Sequence, residues 1–305
     1  MIAVALVVAA TLTTDPPAVH NGRRHELDVR PPRVAADIVV DGRLDEPVWK
    51  QAAILTGFSR YAPTDGAPAD DSTDVLVWYS ATAIHFGIRA YAERGTVNAT
   101  LADRDKIYND DYVGIFLGTF NDGRQAMVFA VNPLGVQGDG MVVERGAGSS
   151  GFGGLQTGRE ATDIAPDFVF ESKGRVTEYG YEVEIRIPFK SLRYQSGATQ
   201  TWGLNVMRRV QSRGVEYSWA PAQRAAASYV GQFGRLNGGG QPEQRRGCVP
   251  IEQPGGEIEN QRHPHECPDL GQRHTRVEIC LQVIRHGHVH QRAGERDKPA
   301  ASHLP

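Results

Sequence analysis

The sequence lacks several things, and each absence closes off a class of protein. It has three cysteines in 305 residues, and none precedes Cys248. An odd number gathered at one end makes no disulfide framework for the rest. The net formal charge is −3 at pH 7 and the pI is near 6.4. No basic field is present to gather phosphates, which argues against general nucleic-acid binding. No apolar run reaches the ~20 residues of a membrane-spanning helix. The Gly-x-Ser-x-Gly elbow of serine hydrolases is absent. Gly146 to Gly158 is glycine-rich but has no Lys-Ser/Thr end, so it is no phosphate loop.

Aromatics are missing from the last 72 residues. All 24 lie at or before Phe233, while the tail holds all three Cys and seven of the ten His. The chain therefore divides into a body ending near Leu236 and a chemically different tail, residues 238–305. The tail is crowded with Arg, His, Gln, Pro and Gly. It reads as translation in a shifted frame or a truncated gene, or else as a disordered tail. His286, His288 and His290 alternate, and His263, His265 and Cys267 cluster, but without a fold neither set has fixed geometry.

At the other end, Ile2 to Leu12 is an apolar run of signal-peptide length, followed by a polar, proline-containing stretch. Ala9 and Ala10 offer small cleavage residues, although no Lys or Arg precedes the run. The expected organisation is a signal peptide over 1–20, a linker over 21–33 and a folded body over 34–237. Its expected location is exported: periplasm, cell envelope or extracellular.

Within the body the signals are strands. Ala83 to Ala90 alternates, with Ile84, Phe86 and Ile88 opposed to His85, Gly87 and Arg89. Tyr179 to Ile187 does the same, with Glu182, Glu184 and Arg186 on the polar side. A period of two with one polar face predicts a sheet packed on one side only. Further strands are expected at Thr73–Tyr79, Tyr112–Leu117, Ala126–Asn132, Phe168–Glu171, Trp202–Val210 and Val215–Trp219. Asn121-Asp122-Gly123 and Ser212-Arg213-Gly214 are hairpin turns. One short helix is expected, capped by Asp45 and begun by Pro47. Many short strands with almost no helix predict an all-β fold, an antiparallel β-sandwich of jelly-roll or immunoglobulin-like type.

Five stretches in order carry a resemblance. They are Ile38-Val-Val-Asp-Gly-Arg-Leu-Asp-Glu-Pro-Val-Trp49, the pair Asp74–Tyr79 and Ile84–Ile88, Asp110–Leu117, Gly180–Phe189, and Gln232–Leu236. Together they resemble the family 9 carbohydrate-binding module and its relatives. Arg104-Asp105, Asn121–Arg124 and Phe129–Gln137 narrow the likeness. They resemble the N-terminal region of large secreted bacterial proteins whose C-terminal region looks like an outer-membrane barrel, a partner missing from this chain. The resemblance implies binding of a glycan or oligosaccharide by aromatic rings that cover the apolar face of a sugar while polar groups meet its hydroxyls. By motif position it implies Tyr108 as the stacking ring, with Trp219 or Tyr229 from a later loop. It further implies polar contacts from Asp111, Asn132 and Asn205. Three departures thin that lining: Gly114, Gly118 and Ala130 stand where the family carries charged residues.

No cofactor is required by this reading. Acidic residues at Asp103, Asp105, Asp110, Asp111 and Asp122 raise structural calcium as a candidate, without the spacing of a defined calcium loop. Two rival functions stand beside sugar binding. One is a structural docking domain without a sugar site. The other is a glycoside hydrolase acting on O-glycosyl compounds, which needs two carboxyls facing one cleft. Asp110 and Asp111 point to opposite faces, and Glu182 and Glu184 are expected to be solvated.

Overall fold

A computed structural model describes residues 16–144, 156–157, 160–195 and 199–239. The described residues all belong to one compact unit. The histidine and cysteine clusters of the tail, the apolar run at Ile2–Leu12 and most of the glycine-rich stretch lie outside the described residues.

Among the described residues sixteen strands build the fold: β1 (Val19–Asn21), β2 (Asp28–Val29), β3 (Ala53–Thr56), β4 (Ser59–Ala62), β5 (Thr73–Tyr79), β6 (Ala83–Tyr91), β7 (Tyr112–Gly118), β8 (Gln125–Val131), β9 (Gln137–Val143), β10 (Gln156–Thr157), β11 (Glu160–Asp163), β12 (Glu171–Thr177), β13 (Gly180–Pro188), β14 (Thr199–Val210), β15 (Val215–Ser218) and β16 (Gly234–Gly239). One sheet runs β1-β3-β5-β6-β13-β12. The larger runs β10-β11-β9-β8-β7-β14-β15-β4, with β16 joining β14 to β2. Most pairings are antiparallel, as hairpins dictate, but β1 lies parallel to β3 and β2 parallel to β16. The sandwich is therefore all-β with mixed sheets.

Alternation places one face of each strand inside. Val75, Val77, Phe86, Ile88, Val183 and Ile185 from the smaller sheet share one cluster with Val113, Ile115, Phe129, Leu204 and Val206 from the larger. These side chains are fully buried. At roughly 2 kcal/mol for each large apolar side chain, this inter-sheet layer is the main source of stability.

Neither outer face is bare. The extended strap from Val34 to Ala52 crosses the smaller sheet and sets Leu44, Val48 and Trp49 against Leu76 and Trp78. The strap carries the expected short helix, a 3-10 turn at Pro47–Lys50 that Glu46 precedes in place of Asp45. This overturns the expectation of one solvated face. His85, Glu182 and Glu184 are buried, because alternation reports polarity and the strap decides exposure. Glycine at position 87 lets the strap lie close: a Cβ there would stand 2.6 Å from Leu44 Cδ2 and 2.9 Å from Trp49 Cζ3. On the larger sheet, Tyr61, Tyr112, Phe116, Val128, Tyr229 and Val230 form a second cluster beneath the loop that follows Ala222.

The fold also starts earlier than expected. The segment assigned to a leader end and linker holds β1 and β2, and Val29 is fully buried. Trp219 Nε1 donates to His20 O at 3.2 Å. The strand expected at Phe168–Glu171 begins only at Glu171, with β12.

Candidate functional site

The six residues that the sequence singles out for a ligand do not converge on one surface. Trp219 is fully buried in the inter-sheet core. Asn205, also fully buried, donates through Nδ2 to Ser218 Oγ at 2.9 Å and to Tyr229 OH at 3.4 Å. Its Oδ1 accepts from Ala220 N–H at 2.9 Å. Asn132 staples the β8–β9 turn. Its Oδ1 accepts from Leu134 N–H at 3.0 Å and Val136 N–H at 2.9 Å, and its Nδ2 donates to Thr100 O and Asp110 Oδ2, both at 2.8 Å. Asp111 accepts the N–H groups of Gln211 at 2.7 Å and Asn98 at 3.3 Å. Burial raises its carboxyl above the usual range.

These are saturated structural groups, and satisfying them is what allows polar atoms inside a sandwich. Tyr229 is buried in the outer cluster, where its ring meets Tyr61 at 5.3 Å and Phe233 at 5.1 Å. Burial raises its phenol well above 10. Tyr108 is half-buried, edge-on to Tyr112 at 6.2 Å, and its hydroxyl is enclosed without a partner. The position expected to present an open ring instead packs against the protein. Phe116 and Phe233 belong to the same outer cluster, their ring centroids 5.9 Å apart, and a Cβ on Gly114 would stand 3.3 Å from Phe116 Cε2.

A cleft of about 580 Å³, open to solvent, lies elsewhere. It sits where β7 ends at Gly118 and β8 begins at Gln125, away from Tyr112 at the start of β7. Phe120, 42% exposed, and the partly buried Phe168 supply rings. Phe168 is held from behind by Phe129 at 5.5 Å. Gln125, Asp167 and Arg193 supply polar groups. The hydroxyl of Thr119 donates to the Arg193 carbonyl, which fixes the loop that carries this arginine. Asp167 is 3.8 Å from Arg104, an ion pair across an exposed side chain. Sequence inspection passed over these five residues. Phe120 had a visible signal: an aromatic beside the Asn121-Asp122-Gly123 turn, outside any alternating strand.

A second, narrower cleft opens at the same end, because Trp202 adjoins Gly203, the partner of Gly118. Tyr79, Phe189, Trp202 and Leu236 make it largely apolar. It offers a sugar little hydrogen bonding. Among the described residues Asp167 is the one carboxylate lining either cleft. Glu182 and Glu184 face the strap instead of a cleft.

Asp105, Asp139 and Asp167 bring three carboxylates within 4.8 Å of one another. Arg104 already occupies that neighbourhood: its Nε donates to Asp139 Oδ1 at 2.8 Å and its NH2 to Phe168 O at 2.6 Å. The other acidic candidates are spent on turns. Asp110 caps Thr100, and Asp122 caps Arg124 N–H at 2.8 Å.

Neither a family model nor a curated protein matches the chain. Among solved structures it is similar to a family 9 carbohydrate-binding module from Caldicellulosiruptor kristjanssonii in complex with cellotriose. That match has 16% identity and a TM-score of 0.47, and covers 74% of this chain and all of that one. The same kind of module in complex with glucose gives 15% identity, 72% and 100% coverage and a TM-score of 0.44. A candidate carbohydrate-binding protein from Bacteroides uniformis ATCC 8492 gives 12% identity, 69% and 98% coverage and a TM-score of 0.48.

Proposed function

We propose that the sandwich is a non-catalytic carbohydrate-binding domain whose ligand enters the cleft between Phe120, Phe168 and Arg193. One observation carries this reading: in that cleft the exposed ring of Phe120 stands beside Gln125, Asp167 and Arg193, polar side chains that have no strong internal partner among the described residues. A pyranose needs both, an aromatic surface for its C–H face and donors and acceptors for its hydroxyls. Phe120 covers the face, while the Gln125 amide, the Arg193 guanidinium and the Asp167 carboxylate address the rim. The Tyr108 surface meets neither need, since its ring packs edge-on to Tyr112 and its hydroxyl is enclosed. Export to the cell envelope and work beside carbohydrate-degrading enzymes belong to the same proposal; they rest on the apolar run Ile2–Leu12 and on the sequence resemblance.

The test is calorimetric titration of the protein with cello-, xylo- and manno-oligosaccharides. Saturable binding is expected for at least one series, with Phe120→Ala weakening it about tenfold or more, as a lost stacking ring should. Tyr108→Ala should leave it within about twofold. Absence of binding to every glycan would overturn the reading in favour of a docking domain, which the saturated state of Asn132, Asn205 and Asp111 already favours over a site at Tyr108.

A further inference from the structure

The outer face of the smaller sheet carries a buried carboxyl that the sugar-binding reading does not use. Glu184, in the middle of β13, is fully buried. Its Oε2 accepts two backbone N–H groups from the strap, Asp41 at 2.9 Å and Gly42 at 3.1 Å. Its Oε1 is enclosed with no partner. Two arginines hold the same turn: Arg175 Nε donates to Gly42 O at 3.1 Å, and Arg89 NH2 donates to Leu44 O at 3.0 Å. Both cations are neutralised by Glu182, at 3.3 Å from Arg89 and 2.5 Å from Arg175. The turn is therefore clamped by three side chains, of which Glu184 alone lacks a counter-charge.

We infer that Glu184 is a proton-sensitive latch, holding the Asp41–Leu44 turn firmly when protonated and less firmly when ionised. The charges around it bear this out. From the strap, Asp41 and Glu46 face it and disfavour its ionised form. Arg43 and Asp45 belong to the same turn, and Arg43 lies 4.0 Å from Asp41. From β12, Lys173 is the cross-strand partner of Glu184 but is exposed and makes no ion pair with it. Glu171 and Arg186 pair with each other at 2.6 Å. From β6, His85 stacks on Trp78 at 3.9 Å, and burial pulls its imidazole down to about 3, so it brings no charge.

Burial raises the Glu184 carboxyl to about 7, against the pull of the two N–H donors. When the turn lifts, the carboxyl meets water and returns to its ordinary value near 4.5. The closed strap thus binds a proton that the open strap releases. Closure is fully favoured below about pH 4.5 and weakens as pH rises towards 7, with no further change above.

Hydrogen exchange of the full chain from pH 5 to pH 8, corrected for intrinsic exchange, tests the latch. Protection of the Asp41 and Gly42 amides is expected to fall by about tenfold or more over that range, while β7 and β14 amides stay level. Glu184→Gln, neutral at every pH, should abolish the trend. Parallel behaviour of wild type and Glu184→Gln would overturn the inference. So would an ordinary titration of the Glu184 carboxyl followed by carbon NMR in the wild type, a measurement that needs no variant to fold.

Discussion

At the scale of single residues, the polar groups inside this sandwich are structural staples. Asn205 shows why. Its amide joins β14 to β15 and to the chain after Ser218 through Ser218, Ala220 and Tyr229. Truncation to alanine removes these bonds and leaves the Ala220 N–H and Tyr229 hydroxyl enclosed without partners. An orphaned buried group costs about 1–3 kcal/mol. Asn205→Ala is therefore expected to lose about 3 kcal/mol, read as a lower urea midpoint, with glycan affinity unchanged once the protein is folded. A large loss of affinity at undiminished stability would return Asn205 to the ligand site. Sequence alone could not separate the two roles. An Asn whose hydrogen-bonding positions meet the protein's own backbone and side-chain atoms and one that meets sugar hydroxyls are the same letter, and the partners of Asn132 and Asn205 lie up to 32 residues away.

At the scale of elements, local regularity was legible and coverage was not. Strands β6 and β13 stood out because Ala83–Ala90 and Tyr179–Ile187 alternate. Strands β3 and β4 have four residues each, too few for a period to show. The strap was read as a motif opening, yet nothing local says that it covers His85 and Glu184, since that depends on where a distant sheet lies. Gly87 is the residue that admits it. A valine there would drive its Cβ into Leu44 and Trp49, and overpacking of this kind costs about 1–3 kcal/mol. Gly87→Val should lower the melting temperature by several degrees. It should also shift the near-ultraviolet circular dichroism of the Trp49–Trp78 edge-on pair, whose centroids are 6.0 Å apart. An unchanged spectrum would mean that the strap is not seated against β6.

At the scale of the whole molecule, the boundary of the domain follows from non-local pairing. Composition placed the start of the body near Val34, because the residues before it are polar and rich in proline. The sandwich nonetheless closes its larger sheet with β2, pairing Asp28 and Val29 beside Arg235 and Leu236, and extends the smaller one with β1 beside β3. Parallel pairs of two or three residues leave no local pattern, since their partners lie more than thirty residues away. Comparing fragments 16–239 and 34–239 turns this into a measurement. The shorter one loses the buried Val29, worth about 2 kcal/mol. It also leaves the Trp219 indole N–H without His20 O, at about 1–3 kcal/mol more. The larger fragment is therefore expected to be more stable by at least about 3 kcal/mol in urea, with a steeper unfolding transition because more surface is exposed on unfolding. Equal midpoints would mean that β1 and β2 only lie on a sandwich already complete from Val34, and the assignment of the first strands to the fold would fail.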